Sequence, residues 1–181
     1  MTEVYLGVGA NLGNRKANLR MALSAMTRMV RVEAVSALYE TDPVGGPTQP
    51  PFYNAACTID CGLDPLPLLR FLRSIEEEVG RRPDGERMGP RPIDIDILLF
   101  GDVTLGDPQL TLPHPRLHER AFVLVPLAEI AAEIRHPVLG RTIAELAAEA
   151  ESTGVQRIGE IGWDGVATRE ERGVLGRGPA V

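Results

Sequence analysis

Residues Ile93 to Phe100 read Ile-Asp-Ile-Asp-Ile-Leu-Leu-Phe, and no other stretch restricts the fold of this chain so tightly. Side chains alternate across a β-strand, so Asp94 and Asp96 share one face while Ile93, Ile95 and Ile97 share the other. So apolar a run predicts a central strand, preceded by a turn at Gly89-Pro90 and by Arg91. Two rises of about 3.3 Å place the aspartate Cα atoms roughly 6.6 Å apart, a spacing that lets two carboxylates hold a pair of Mg²⁺ ions. Paired divalent ions about 3.5–4 Å apart recur where a phosphate is transferred. Hard oxygen ligands without Cys or His favour Mg²⁺ over zinc. The plain alternative is solubilising charge on a solvated strand face. Against it, like charges side by side near a core repel unless a cation intervenes. Four arginines, Arg81, Arg82, Arg87 and Arg91, stand just upstream in a chain of net charge −6. Cations for phosphate oxygens beside carboxylates for Mg²⁺ form a coherent pair.

Periodicity orders the rest. Glu3 to Gly9 alternates as a first strand, and a helix is predicted from about Asn14 with an apolar stripe through Leu19, Ala22, Leu23, Met26, Met29 and Val30. Strands are predicted over Val32 to Glu40 and over Tyr53 to Cys61, separated by a Gly- and Pro-rich loop from Thr41 to Pro51. Asp64-Pro65 opens a second helix running to about Val79. Glu76 lies on its apolar stripe and needs a partner, either a nearby arginine or a ligand. After the Asp94–Phe100 strand come a turn at Gly101-Asp102, a helix of about Ala121 to Ala132, and a capping box at Thr142-x-x-Glu145 that opens a last short helix. Periodicity fades after Glu151, so the expectation is a domain over 1–150 and a loosely structured tail over 151–181. The order βαββαβ predicts an α+β, ferredoxin-like sandwich, with an antiparallel sheet on one side, helices on the other, and C-terminal helices added.

At 181 residues, 44% apolar and 24% charged, the chain is expected to be one globule with a substantial core. Its acidity argues against a nucleic-acid or anionic-membrane surface. No apolar run approaches a membrane span, and Met1-Thr2-Glu3-Val4 lacks the features of a signal peptide, so a cytoplasmic protein is expected. Cys57 and Cys61 would lie about 13 Å apart on one strand, too far for a disulfide, and are expected as buried thiols. Gly7-x-Gly9-x-x-x-Gly13 hints at a dinucleotide fingerprint, but Leu12 takes the third glycine's place. These glycines are expected to serve a tight strand-to-helix turn. With no P-loop, phosphate handling falls to Mg²⁺ and arginine.

Several segments, in order, resemble the 6-hydroxymethyl-7,8-dihydropterin pyrophosphokinase family. They are Gly9-Ala10-Asn11-Leu12-Gly13, Tyr39-Glu40-Thr41-Asp42-Pro43, Phe52-Tyr53-Asn54-Ala55, Gly89-Pro90-Arg91-x-x-Asp94-x-Asp96, and Pro113-His114-Pro115-Arg116-Leu117-x-x-Arg120-x-Phe122. Together they span about residues 4 to 147. The resemblance implies transfer of the β,γ-diphosphate of ATP to a pterin hydroxymethyl oxygen, leaving AMP, by a monomeric enzyme of folate biosynthesis. It implies that Asp94 and Asp96 hold two Mg²⁺ and that Arg81 and Arg91 act in catalysis. It also implies ATP contacts from Glu76, Arg91, Ile97, Thr111, His114 and Arg120. Phe52 and Phe122 would sandwich the pterin, with Asn54 and the backbone of Thr41, Pro43 and Val44 reading its edge. Two positions depart from the family pattern. Met88 stands where tryptophan is frequent, and Pro83 stands where an arginine is frequent, with Arg82 the neighbouring candidate to replace it.

Read from the residues alone, Phe52 and Phe122 could equally be core, and His114 could sit exposed. Two rival functions also stand: another metal-dependent nucleotidyl or phosphoryl transferase, and a non-catalytic ligand-sensing module. The nucleotide product separates the first, and Mg²⁺-independent binding without turnover the second.

Overall fold

The computed structural model describes residues 1–82 and 88–165. Pro83 and Arg87 of the arginine-bearing loop, and residues 166–181 of the expected tail, lie outside the described residues. In chain order the elements are β1 (Thr2–Ala10), α1 (Arg15–Met26), β2 (Arg31–Val35), β3 (Leu38–Thr41), β4 (Phe52–Cys61), α2 (Pro65–Val79), β5 (Asp94–Phe100), β6 (Leu105–Asp107), β7 (Leu110–Leu112), a 3-10 turn (Leu117–Glu119), α3 (Ala121–Ala131), α4 (Ile143–Glu149) and β8 (Val155–Gly159). Among the described residues, six strands make an antiparallel sheet in the order β5-β1-β4-β3-β8, with β2 also paired to β4, while β6 and β7 form a separate hairpin.

Local chemistry explains most boundaries. Asn14 caps α1 by accepting from the Ala17 N–H. Asp64 precedes Pro65 at the start of α2 but makes no side-chain capping bond, and Gly80, at φ 112°, closes the helix. Thr142 and Glu145 form the expected capping box. The helix α1 ends at Met26, before the end of its predicted stripe, which leaves Met29 exposed.

The strand predicted over Val32 to Glu40 is broken into β2 and β3 at Ser36-Ala37. There the Ser36 Oγ accepts from the Ala56 N–H, and the Glu129 carboxylate of α3 accepts from the Ala37 N–H. These side chains satisfy backbone groups that a continuous ladder would have paired.

Apolar residues on both sides of the central strands demand two cores. Val4, Leu6 and Val8 of β1 and Ile95 and Ile97 of β5 pack with Leu19, Leu23, Leu68 and Leu72 of α1 and α2. On the opposite face, Tyr5, Leu98 and Leu99 pack with Leu124 and Leu127 of α3 and Ile143 and Leu146 of α4. Helices therefore cover both faces, where the sequence placed them on one. The cause is β5 itself. Its pairing with β1 jumps between Tyr5 and Leu6, skipping Leu98, so two successive leucines reach the second core. Each large aliphatic side chain so buried contributes about 1.5–3 kcal/mol.

Both cysteines are free and buried, and burial pushes the Cys57 thiol up to about 12. Of the segment expected as a loose tail, Val155–Gly159 forms β8 on the edge of the sheet, and Ile161 is buried. No helix among the described residues is long and apolar enough to cross a membrane.

Candidate active site

The α3–α4 layer covers only part of its face of the sheet, and the uncovered part is floored by glycine. Gly9 pairs with Asp94 on one side and Asn54 on the other, and Gly7 with Asp96 and Ala56. Residues directly opposite share a face, so Asp94, Asp96, Gly7, Gly9, Asn54 and Phe52 all look the same way. A Cβ on Gly9 would lie 2.4 Å from Asn54 Oδ1, so a side chain here would displace the Asn54 amide from its bond to Thr41. Gly7 and Gly9 thus lie within β1 and give the cavity depth, instead of serving the turn. The turn is made at Gly13, where φ is 69°.

Over this floor lies a cavity lined on its apolar side by Val44, Phe52, Met88 and Phe122. Its polar edge is Asn54, whose Nδ2 donates to Thr41 Oγ1 at 2.6 Å. A second groove runs from Glu76 and Arg81 past Ile97 to Thr111 and His114. Asp94 and Asp96 border both.

The charges at this junction are asymmetric. Asp94 Oδ1 receives Arg81 Nη1 at 2.6 Å, and its Oδ2 receives Arg91 Nη2 at 2.7 Å. Arg81 also reaches Glu76 Oε1 at 2.5 Å, and that oxygen accepts from the Ile95 N–H at 2.7 Å. The question left by Glu76 in the apolar stripe is so answered in the free protein. It is 8% exposed, raised by burial, and partnered by an arginine and a strand N–H.

Asp96 is left less satisfied. The nearest basic side chains are Arg120, with Nη1 at 3.9 Å, and the neutral His114, with Nε2 at 4.0 Å. Although 38% of the side chain is exposed, that surface opens into the two cavities. Crowding by protein, and next the charge of Asp94, push its carboxyl up to about 7. Burial, and next Arg120, push His114 down to about 4. The Arg116 N–H donates to His114 Nδ1 at 3.2 Å, so the neutral ring carries its proton on Nε2, facing Asp96. Arg91 stands with its guanidinium carbon 5.1 Å from the centre of the Phe52 ring, and its Nε is buried with no partner, a donor without an acceptor.

The fold brings nearly every residue named from the sequence to these two spaces. Thr41, Val44, Phe52, Asn54, Phe122, Arg91 and Arg120 line the first cavity, and Glu76, Arg81, Ile97, Thr111 and His114 line the groove. Arg91 and Arg120 are thus on the apolar cavity's wall. Pro43 lies beside it, on a small hollow with Gly45 and Gly46. Arg82 is exposed and lines neither space.

Sequence reasoning gave Asn11 no role, yet it ties three loops together. Its Oδ1 accepts from the Arg91 N–H at 2.8 Å, and its Nδ2 donates to Gln49 Oε1 and the Pro50 carbonyl. Gln49 in turn donates to the carbonyl of Met88, whose φ of 62° is unusual for a non-glycine residue. A polar Asn11 directly after the apolar first strand was the available signal. Among the described residues no group of three or more His, Cys, Asp or Glu side chains gathers as a closed metal site. The carboxylates form an open pair.

Residues 5–132 match the family model described as 7,8-dihydro-6-hydroxymethylpterin-pyrophosphokinase (HPPK). The chain is 44% identical over 158 residues to the 2-amino-4-hydroxy-6-hydroxymethyldihydropteridine pyrophosphokinase of Pseudomonas aeruginosa, covering 86% of this chain and 96% of that one. It is 45% identical over 132 residues to the Bacillus subtilis protein of the same name, covering 72% of this chain and 78% of that one. The HPPK-DHPS crystal structure of Plasmodium falciparum is similar in fold, with a TM-score of 0.66 at 20% identity over 82% of this chain. The present chain spans 44% of that larger one.

Proposed function

Because the chain belongs to the 7,8-dihydro-6-hydroxymethylpterin-pyrophosphokinase family, we propose that its two joined cavities take one substrate each and meet at the reacting phosphates. It is an enzyme of folate biosynthesis that transfers pyrophosphate from ATP to hydroxymethylpterin. The sheet order β5-β1-β4-β3, with α1 and α2 on one face, supports a ferredoxin-like assignment, extended by β8 and by α3 and α4 on the other face.

The observation that carries the reading is the shared wall: the aromatic cavity and the charged groove both open onto Asp94 and Asp96. A flat pterin fits between Phe52 and Phe122, with Asn54 and the Thr41 segment at its polar edge. The nucleotide takes the groove lined by Ile97, Thr111 and His114. The donor set suits Mg²⁺, which is held by one or two carboxylates plus substrate phosphates, with no need for a closed protein cage. The raised Asp96 carboxyl beside Asp94 is the charge conflict that such an ion relieves. Asp94 and Asp96 would hold the metal, which when bound neutralises phosphate charge.

The chain's own groups do the positioning. Arg81 and Arg91 neutralise Asp94 in the free protein and are the cations closest to an arriving phosphate. The partnerless Arg91 Nε supplies a further donor, and the neutral His114 offers its Nε2–H. The pterin hydroxyl attacks the β-phosphorus in line, without a covalent enzyme intermediate, and the rate comes from alignment and charge stabilisation.

The test is a product assay with ATP, Mg²⁺ and 6-hydroxymethyl-7,8-dihydropterin. Pterin-dependent AMP, abolished by EDTA, is expected. ADP as the product would reject pyrophosphate transfer, and turnover undiminished by EDTA would reject the metal.

A further inference from the structure

β8 lies beyond the matched region 5–132, yet it is built into the sheet beside the strand that carries Thr41. Tyr39 pairs with Arg157, Glu40 with Gln156 and Thr41 with Val155. Just before β8, the Gly154 carbonyl accepts from the Asp42 N–H at 3.1 Å. Just after it, the chain crosses to α1, where Ile161 enters the first core and its carbonyl accepts from Arg20 Nε at 2.8 Å. Trp163, the single tryptophan of the chain, donates from Nε1 to Ser24 Oγ at 2.9 Å. The segment is fastened at both ends.

What it holds is the polar edge of the aromatic cavity. β3 is only four residues long and would otherwise be an edge strand with one row of unpaired groups. It delivers the chain to Thr41, Asp42 and Val44, all of which line the cavity. Gly154 has φ of 77°, and a Cβ there would lie 2.5 Å from Asp42 Oδ2. The place of the Asp42 carboxylate is therefore set by the lack of a side chain at 154. The nucleotide groove is at the far end of the sheet. β3 lies three strand spacings from β5, roughly 14 Å.

We propose that residues 152–163 form a positioning strap for the pterin-side cavity, with Gly154 and β8 fixing Thr41 to Val44 and so tuning pterin affinity without acting on the nucleotide side. This rests on the reading that the pterin occupies the aromatic cavity. A merely structural strap would loosen both substrates alike.

The experiment uses the full chain carrying Gly154→Ala. Alanine at φ 77° is strained as well as close to Asp42 Oδ2, so the 154 turn and Asp42 are displaced together, while the pairs of β3 with β8, which begin at Val155, are retained. The expected result is a pterin KM raised about tenfold, as for loss of one well-placed polar contact, with kcat and ATP KM changed less than about twofold. Trp163 emission should be unshifted, reporting a docked strap. Trp163→Ala, which frees the far end away from any substrate, should raise pterin KM by about threefold. An unchanged pterin KM in both variants, or an equal rise for ATP, overturns the strap. Phe122→Ala separates the two readings. If it raises pterin KM while both strap variants do not, only the strap fails. If it leaves pterin KM unchanged, the cavity assignment fails and takes the strap with it.

Discussion

The two cavities share Asp94 and Asp96 but differ in the rest of their lining. One has a glycine floor and Phe52 and Phe122 in its walls, with Asn54 and Thr41 as its polar edge. The other is lined by Glu76, Arg81, Thr111 and His114. The first can discriminate by shape and by buried polar pairing, the second by charge. On the proposed reading, specificity and catalysis would be separable, since the two linings share, among the described residues, only Asp94 and Asp96. Changes at Phe122 or Asn54, away from the shared wall and from Arg91 and Arg120, should therefore leave the nucleotide alone.

The largest effect should come from the junction. Asp96→Asn is expected to cut kcat by about 10²–10³-fold, the range for losing one group that stabilises transition-state charge, while pterin binding measured by calorimetry is retained. Equal loss of pterin affinity would show that the cavities are not separable. Next, Phe122→Ala should weaken pterin binding by about tenfold, since an aromatic pair contributes about 0.5–1.5 kcal/mol beyond its area, with ATP KM unchanged. Glu76→Ala removes the acceptor of the buried Ile95 N–H and should lower stability by about 1–3 kcal/mol in denaturant titration. Glu76→Gln, which keeps an acceptor, should recover most of that.

The smallest effect is a pH signature in the ligand-free protein. Asp96 is raised, so the folded state holds an extra proton between about 4 and about 7, and this group alone makes stability fall as pH rises through that window. His114 is lowered, so the unfolded state holds the extra proton between about 4 and 6.5, and this group alone makes stability rise with pH. The two oppose each other in the wild type. In melting experiments, Asp96→Asn should unmask the rise and His114→Gln the fall. Identical pH profiles in all three proteins would contradict the environments described for both groups.

How much of this was legible follows from how local each signal is. Asp64-Pro65 and Gly80 bracket α2, and Ile93 to Phe100 declares β5, because caps, punctuation and alternation act within a few residues. The break between β2 and β3 was illegible because its cause, Glu129, is 92 residues from Ala37. β8 lacked a pattern because it is an outer strand with little to bury, and its pairing partner lies far back at Leu38–Thr41. Gly7 and Gly9 were visible but misread: the sequence shows that a side chain is missing, and only the register shows that Asn54 and the carboxylates stand beside the gap. Asp94, Asp96, Glu76 and the nearby arginines stood out from the residue pattern and the other site residues were named through a resemblance, whereas their division between two cavities came from the fold. The contacts of Asn11 came from the fold as well.

The central claim is that Asp94 and Asp96 form the metal-holding junction of the two cavities. It is tested most directly by counting Mn²⁺ bound to the protein by electron paramagnetic resonance, with a non-hydrolysable ATP analogue and the pterin present. Two ions per wild-type chain, and a marked loss of that binding in Asp94→Asn and Asp96→Asn with pterin still bound, is the predicted result. Undiminished Mn²⁺ binding in both variants would contradict it.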